Sequence, residues 1–390
     1  MRKRGERAQQ SWVRDGAAIH RWLVEPLSAE VKRSVERVAR AAGVVHVAVM
    51  PDVHLSREVC VGLAIATRDF VYPQAIGGDI GCGMLALGFD ASADVLRDDR
   101  RAAMLLEELR EVTPPMRHRS LEAAPHLPED LEARELSNQA FAKYVERDGR
   151  VELGTLGRGN HFIEFQADED DRLWLMIHSG SRCVGQRISD WHLSQATERS
   201  GGLAALPVAE PRGQTFLADA AWAARYASFN RRTMRDAIVR LMAEQFGASA
   251  IADSQIECDH NHVRLETHFG ESLWVHRKGA ASANPGEWAV IPGSMGTRSV
   301  HVVGRGCELA LRSSSHGAGR ALSRSEATRA VSTQLLLAEM RGVRFDDSIA
   351  AKLREEAPSA YKDIDAVMRA QRELTKIVRR LRPVLVYKAL

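Results

Sequence analysis

Helix-forming and strand-forming segments alternate along this sequence, which predicts a mixed α/β architecture with a large core, as one domain or two smaller ones. Three observations carry that expectation. A chain of 390 residues is long enough to bury such a core. Its 45% hydrophobic content is that of a globular protein. Apolar residues at helical spacing over 29–42 also give way directly to a β-rich run over 44–50.

The first helix follows from Val31, Val35, Val38, Ala39 and Ala42, with Ser28 as its cap and Gly43 as its stop. The run over 44–50 is expected to end at Pro51, leaving Asp52 and His54 at a strand end, where α/β proteins place chemistry. A capping aspartate and a surface histidine fit the same two residues. A second strand is expected over 59–67. It leads to Gly77-Gly78-Asp79-Ile80-Gly81-Cys82-Gly83-Met84, in which glycines let a carboxylate and a thiol three residues apart converge on one point. That octapeptide reads as a metal seat whose thiolate can bridge two cations, or as a glycine turn around a buried cysteine.

Residues 85–89 are the strand leaving that loop, and 96–112 and 130–146 have helical patterns separated by prolines. Gly154-Thr155-Leu156-Gly157-Arg158-Gly159-Asn160-His161-Phe162-Ile163-Glu164 allows close backbone approach to a ligand, with Asn160 and His161 able to face a site. No Lys-Ser/Thr follows its glycines, so it is not a phosphate-cradling P-loop. An apolar strand over 173–177 ends at His178, before Ser179-Gly180-Ser181-Arg182, a run suited to an anion nest. Residues 186–246 are mostly helical, broken at Gly201-Gly202 and between Pro207 and Pro211. Arg225, Arg231, Arg232 and Arg235 there form a solvated face or one turned to RNA.

Further on, Cys258-Asp259-His260-Asn261-His262 is a third histidine cluster. Strands over 273–276 and 300–303 flank Arg277-Lys278-Gly279-Ala280 and Pro292-Gly293-Ser294-Met295-Gly296. Ser315-His316-Gly317-Ala318-Gly319-Arg320 sets one imidazole among residues with almost no bulk, the clearance a group attacking a phosphate needs. Residues 363–381 read as an amphipathic helix ended by Pro383, and 384–388 as a terminal strand.

Composition bounds the setting. Five cysteines, odd in number and scattered, argue against a disulfide framework and for a reducing compartment. The polar N-terminus argues against a signal peptide, and no apolar run is long enough to span a bilayer, so a cytoplasmic protein is expected. A net charge of +3 does not by itself imply nucleic acid. Only eight of the 54 basic residues are lysine, which suits bidentate phosphate recognition or a general compositional bias equally.

Asp79, Cys82, His161, His178 and His260 together make a mixed O/N/S ligand set that suits a borderline divalent metal. With His316 and Lys278 left over, the constellation points to phosphoryl or nucleotidyl transfer. No Lys-x-x-Gly occurs, which excludes the usual lysine-adenylating ligase chemistry.

From Met50-Pro51-Asp52-Val53-His54 to Lys388 the sequence resembles the RtcB family of GTP-dependent RNA ligases. The motifs carrying the likeness, in family order, are Asp79-Ile80-Gly81-Cys82-Gly83, Gly159-Asn160-His161-Phe162, His178-Ser179-Gly180-Ser181-Arg182, Arg277-Lys278-Gly279-Ala280, Pro292-Gly293-Ser294-Met295-Gly296 and Ser315-His316-Gly317-Ala318-Gly319-Arg320. The resemblance implies an α+β fold in place of the generic α/β one. Residues 1–390 would form a single domain, with central β-sheets, flanking helices and a mostly helical insertion about 186–246.

It further implies that His316 takes GMP from GTP, and that Cys82 bridges two manganese ions. Asp79 and His161 would complete one of them, His178 and His260 the other. Asn160 would hold GTP phosphates or the metal-bound anion, Glu164 and Lys388 would recognise guanine, and Lys278, Ser294 and Arg182 would contact phosphates. The implied substrates are RNA with a 3′-phosphate or 2′,3′-cyclic phosphate end and RNA with a 5′-hydroxyl end, with an archease-type activator as a further partner. Ser56-Arg57-Glu58-Val59 departs from the glycine-rich turn the family carries after His54, Cys183 stands where a glycine is usual, and Asp259 and His262 are unexpected neighbours of His260. Two other classes fit the residues: a dinuclear metal phosphoesterase acting on RNA ends, and an RNA-end-binding relative without ligation.

Overall fold

The computed structural model describes residues 12–14 and 16–389. Among these residues two large sheets dominate, and helices cover them on their outer faces, an α+β arrangement. No described helix is long and apolar enough to cross a membrane.

The first sheet is built from β1 (Trp12–Arg14), β2 (Ala17–Arg21), β3 (Val44–His54) and β4 (Val61–Thr67). Only β2 and β3 run parallel, because α1 (Ala29–Ala39) crosses between them. Ser28 caps α1 by accepting from the Val31 amide at 3.3 Å, and Val31, Val35 and Val38 bury its apolar stripe on the sheet. β3 passes through Pro51 to His54 and does not stop at the proline. The ladder to β4 is regular only as far as Val49, so Pro51 lies where no amide is required.

The second sheet is antiparallel throughout. Its strands are β5 (Gly83–Ser92), β6 (Phe162–Ala167), β7 (Arg172–Ser179) and β8 (Ile256–Asp259), and three more follow. β9 (Asn261–His268) and β10 (Glu271–Lys278) return to the first sheet, giving it the order β1-β2-β3-β4-β10-β9. A short hairpin-like pair, β11 (Ala280–Ser282) with β14 (Ser313–Ser315), brackets β12 (Trp288–Ile291) and β13 (Ser299–Gly304). β15 (Thr375–Tyr387) completes the second sheet in the order β8-β5-β7-β6-β15-β13-β12. Against it pack α2 (Asp99–Val112) and α4 (Pro211–Phe246), with α3 (Arg182–Gln195) beside α4.

The helix expected over 363–381 ends early. Only Ile364–Ala370 is helical, and Thr375–Tyr387 is strand. β-branched Thr375, Ile377 and Val378 favour the extended chain, and Pro383 sits at a break in register with β6. The helical stretch expected over 186–246 is two helices joined by short strand pairs, and the first begins at Arg182.

Candidate active site

Strand register brings the histidines to the glycine loop. Met84 on β5 and Phe162 on β6 both pair with His178 on β7, so Cys82 and His161, just before those strands, converge at its end. On the other side Asp259 pairs with Gly83, and the His260 amide donates to the Cys82 carbonyl at 2.9 Å. Cys82, His178 and His260 form one cluster and Asp79, Cys82 and His161 another, with ligand atoms in each within 4.8 Å of one another. The Cys82 sulfur belongs to both. It lies 3.2 Å from His178 Nε2 and 3.6 Å from His161 Nε2.

The tautomers make this a cation seat. His161 Nδ1 donates to the Leu156 carbonyl and His178 Nδ1 to the Asn160 carbonyl, each at 3.0 Å, which turns both Nε2 lone pairs inward. His161 Nε2 then faces the Asp79 carboxylate at 2.8 Å, and His178 Nε2 faces His260 Nε2 at 3.3 Å. Inward-facing imidazole lone pairs beside a carboxylate and a thiol make a donor set of the kind a divalent metal takes. Burial pushes the Cys82 thiol up, and it pushes His178 and His260 well down, so the imidazoles are neutral ligands.

His316 follows β14, which pairs with β11 next to the Lys278-Gly279 turn. Its ring centroid is 4.7 Å from that of His260. Its Nδ1 and its backbone amide both meet Asp52 Oδ2, at 2.7 Å and 3.2 Å. Asp52 is fully buried, and its other oxygen, Oδ1, has no hydrogen-bond partner. Gly319, at φ +74°, lets the His316 loop ride over Asp52, because a Cβ there would collide with the Asp52 backbone. With Nδ1 tied to a carboxylate, Nε2 carries the lone pair.

A cavity of about 790 Å³ opens beside His316. Asn160, Glu164, His178, Ser294 and Lys388 line it with His316. Burial raises Glu164 to about 8, although Gln166 donates to it at 2.6 Å. Lys388 Nζ donates to Glu356 at 3.1 Å, and Tyr361 donates to the same oxygen at 2.6 Å.

Known proteins share this layout in sequence. A family model described as tRNA-splicing ligase RtcB matches residues 34–133 and 117–389. The RNA-splicing ligase RtcB of Escherichia coli K12 is 36% identical over 403 residues, covering 96% of this chain and 98% of the relative. That of Mycobacterium tuberculosis is 31% identical, covering 90% and 98% respectively. The tRNA-splicing ligase RtcB of Nanoarchaeum equitans is 28% identical, covering 88% of each. The chain belongs to the RtcB family of RNA ligases.

Of the residues singled out in this RtcB ligase, Asp79, Cys82, His161, His178 and His260 come together, with His316 beside them. Lys278 and Arg182 are not on the cavity wall. Burial lowers Lys278 to about 8, near Cys60 and Glu58. Arg182 Nε donates to Thr155 Oγ1 at 3.1 Å, and its guanidinium fits only because Gly157, at φ +96°, has no Cβ. The departing loop 56–59 is tied to α1, where Ser34 Oγ and Arg37 donate to the Glu58 carbonyl, and Ser56 lines the cavity. Asp259 Oδ1 lies 3.0 Å from His262 Nδ1, and Arg277 donates to His262 Nε2 at 3.1 Å, so His262 on β9 links the end of β8 to β10.

The arginines of α4 do not form one solvated face. Arg231, 2% exposed, donates to the Gly81 and Ser179 carbonyls at 2.8 Å and 3.0 Å and pairs with Glu257 at 3.1 Å. Arg225 pairs with Glu135, Arg232 with Glu257 and Arg235 with Asp236. Sequence reasoning gave no role to Asn230, whose amide donates to Ser179 Oγ at 3.1 Å, or to Asn261, which donates to the Asp79 carbonyl at 3.0 Å. Glu356 was missed as well. Asn261 lies inside the third histidine cluster, whereas nothing in the sequence around Asn230 and Glu356 marks them, because their partners lie far away along the chain.

Proposed function

We propose that this RtcB ligase joins RNA ending in a 3′-phosphate or 2′,3′-cyclic phosphate to RNA with a 5′-hydroxyl, using GTP, two manganese ions and a His316–GMP intermediate. The observation that carries the proposal is the position of His316, with Nδ1 held by buried Asp52 and its ring 4.7 Å from a histidine of the thiol-sharing ligand set. Residues 1–390 act as one catalytic unit.

Asp79, Cys82 and His161 hold one ion, and Cys82, His178 and His260 the other. When bound, the ions neutralise charge on the phosphates. Asp52 accepts a hydrogen bond from His316 Nδ1–H and keeps the Nε2 lone pair directed at the α-phosphorus of GTP. As the N–P bond forms, the bond to pyrophosphate breaks. Glu164 and Lys388 recognise the guanine edge, Asn160 and Ser294 position phosphate oxygens, and Lys278 and Arg182 supply positive charge from behind the wall.

A 2′,3′-cyclic phosphate is first hydrolysed, water adding at phosphorus as the bond to the 2′-oxygen breaks, which leaves a 3′-phosphate and a 2′-hydroxyl. The GMP then passes to that 3′-phosphate, which makes GMP the leaving group when the 5′-hydroxyl attacks. An archease-type partner acts as activator, and the cell compartment is the cytoplasm.

The test is joining of two labelled RNAs, one with each end chemistry, with manganese and with or without GTP. Joining only in the presence of GTP supports the proposal. Loss of the cyclic phosphate without GTP and without joining would identify a phosphoesterase, and retention of RNA ends without turnover would identify a binding protein.

A further inference from the structure

The cavity beside His316 has a second wall that the GTP chemistry leaves unused. It comes from the connection between β2 and α1, the first turn of α1 and the chain after β3: Leu23, Glu25, Pro26, Leu27, Val31 and Leu55. Leu23 and Leu27 pack against the core of the first sheet, so this wall is fixed. The whole cavity, about 790 Å³, lies in the upper part of the range of about 300–1,000 Å³ that holds one drug-sized ligand.

The chemistry of the second wall selects its occupant. Phosphate is disfavoured, because Glu25 and Glu30 bring two carboxylates and the cations among the described lining residues, Arg320, Arg324, Lys362 and Lys388, are each engaged by carboxylates or carbonyls. Lys362 Nζ is held by the Pro51 and Val53 carbonyls at 3.1 Å and 2.8 Å and lies 3.9 Å from Glu25. The start of α1 is also answered, by Ser28 on the Val31 amide and by Glu30 in its first turn. A flat apolar body with N–H donors at its edge fits such a wall, with its faces on the leucines and proline and its edge toward the carboxylates. That describes a nucleobase.

We propose that this wall receives the terminal nucleobase of the RNA strand that carries the 3′-phosphate. The proposal rests on the ligase reading above. That strand is the one whose phosphate must reach His316 before the 5′-hydroxyl strand arrives, and the wall is continuous with His316 in one cavity. The GTP base occupies the Glu164 and Lys388 end, and the RNA base the Leu27 and Leu55 end.

Joining kinetics test this directly, with the concentration of each RNA strand varied in turn and GTP saturating. The proteins are wild type, Leu55→Ala and Glu25→Gln/Glu30→Gln, with GMP transfer to the protein measured in each preparation. Leu55 is 52% exposed, so its truncation leaves the fold intact. The expected result is a KM for the 3′-phosphate strand raised roughly five- to tenfold in both variants, with GMP transfer at the wild-type rate. An abasic 3′-terminal nucleotide should raise the same KM in wild type and erase the difference between the proteins.

An unmoved KM, a KM shift confined to the 5′-hydroxyl strand, or a slowed GMP transfer would each overturn the assignment. These outcomes are separate from failure of the ligase reading, in which wild type itself shows neither GMP transfer nor joining.

Discussion

Asp52 Oδ2 lies 2.7 Å from His316 Nδ1 and 3.2 Å from the His316 backbone amide, so one buried carboxylate oxygen fixes both the ring and the chain of His316. The two residues are brought together across 264 positions of sequence, by β3 ending beneath the His316 loop. Replacing the carboxylate by an amide removes the charge that holds the tautomer. Asp52→Asn should slow GMP transfer by at least about 10²-fold, with little loss of metal. Quench-flow label transfer and metal analysis on the same sample check this.

Cys82 is the atom common to both ligand clusters. Cys82→Ala should therefore remove both ions, whereas His161→Ala should weaken one more than the other. Metal content after dialysis reports this independently of activity. Wild type is expected to hold two manganese ions per chain and Cys82→Ala none, and chelation should lower the Tm of wild type only.

Much of this centre was legible because the candidate ligands sit in short motifs at strand ends, flanked by glycine or serine except at His260, which lies in a Cys-Asp-His-Asn-His cluster. Asp79, Cys82, His161, His178, His260 and His316 stand out in that way, and register then does the rest. The partners of these residues were not legible. Asp52 was a strand-end candidate without a partner, and Arg231 looked like one of several surface arginines until α4 placed it against Gly81 and Ser179. The fold was misread where two periods coincide. Ile364, Val367, Met368, Leu374, Ile377, Val378 and Leu381 satisfy helical spacing, yet the β-branched residues from Thr375 onward find partners on β13 and make a strand.

Arg231 is the internal brace of the metal loops. Arg231→Met would leave the Gly81 and Ser179 carbonyls without their donor and Glu257 with fewer partners. The expected loss is about 3–5 kcal/mol of stability. Chemical denaturation of metal-free protein measures it, and an unchanged midpoint would show that the brace is dispensable.

Glu164 gives the protein a pH signature. Its carboxyl is raised by burial from 4.5 to about 8. Below pH 4.5 the group is protonated in both folded and unfolded chains, so the folded state carries no penalty. Between pH 4.5 and about 8 the unfolded chain releases a proton that the fold retains. Stability from this group is therefore lost as pH rises through that window, and the loss is complete above about 8. Glu164→Gln should flatten this part of the stability profile. If guanine needs the ionised carboxylate, GTP binding near pH 7 should release a proton in wild type and none in the variant, as titration calorimetry in buffers of different ionisation heat will show.

On the proposed mechanism His316 carries GMP. α-Phosphate-labelled GTP, with manganese, should label wild type, and the label should be acid-labile, alkali-stable and absent from His316→Ala. Mass spectrometry of the wild-type peptide should place GMP on His316. Label retained by His316→Ala, or none on metal-loaded wild type, would contradict the account.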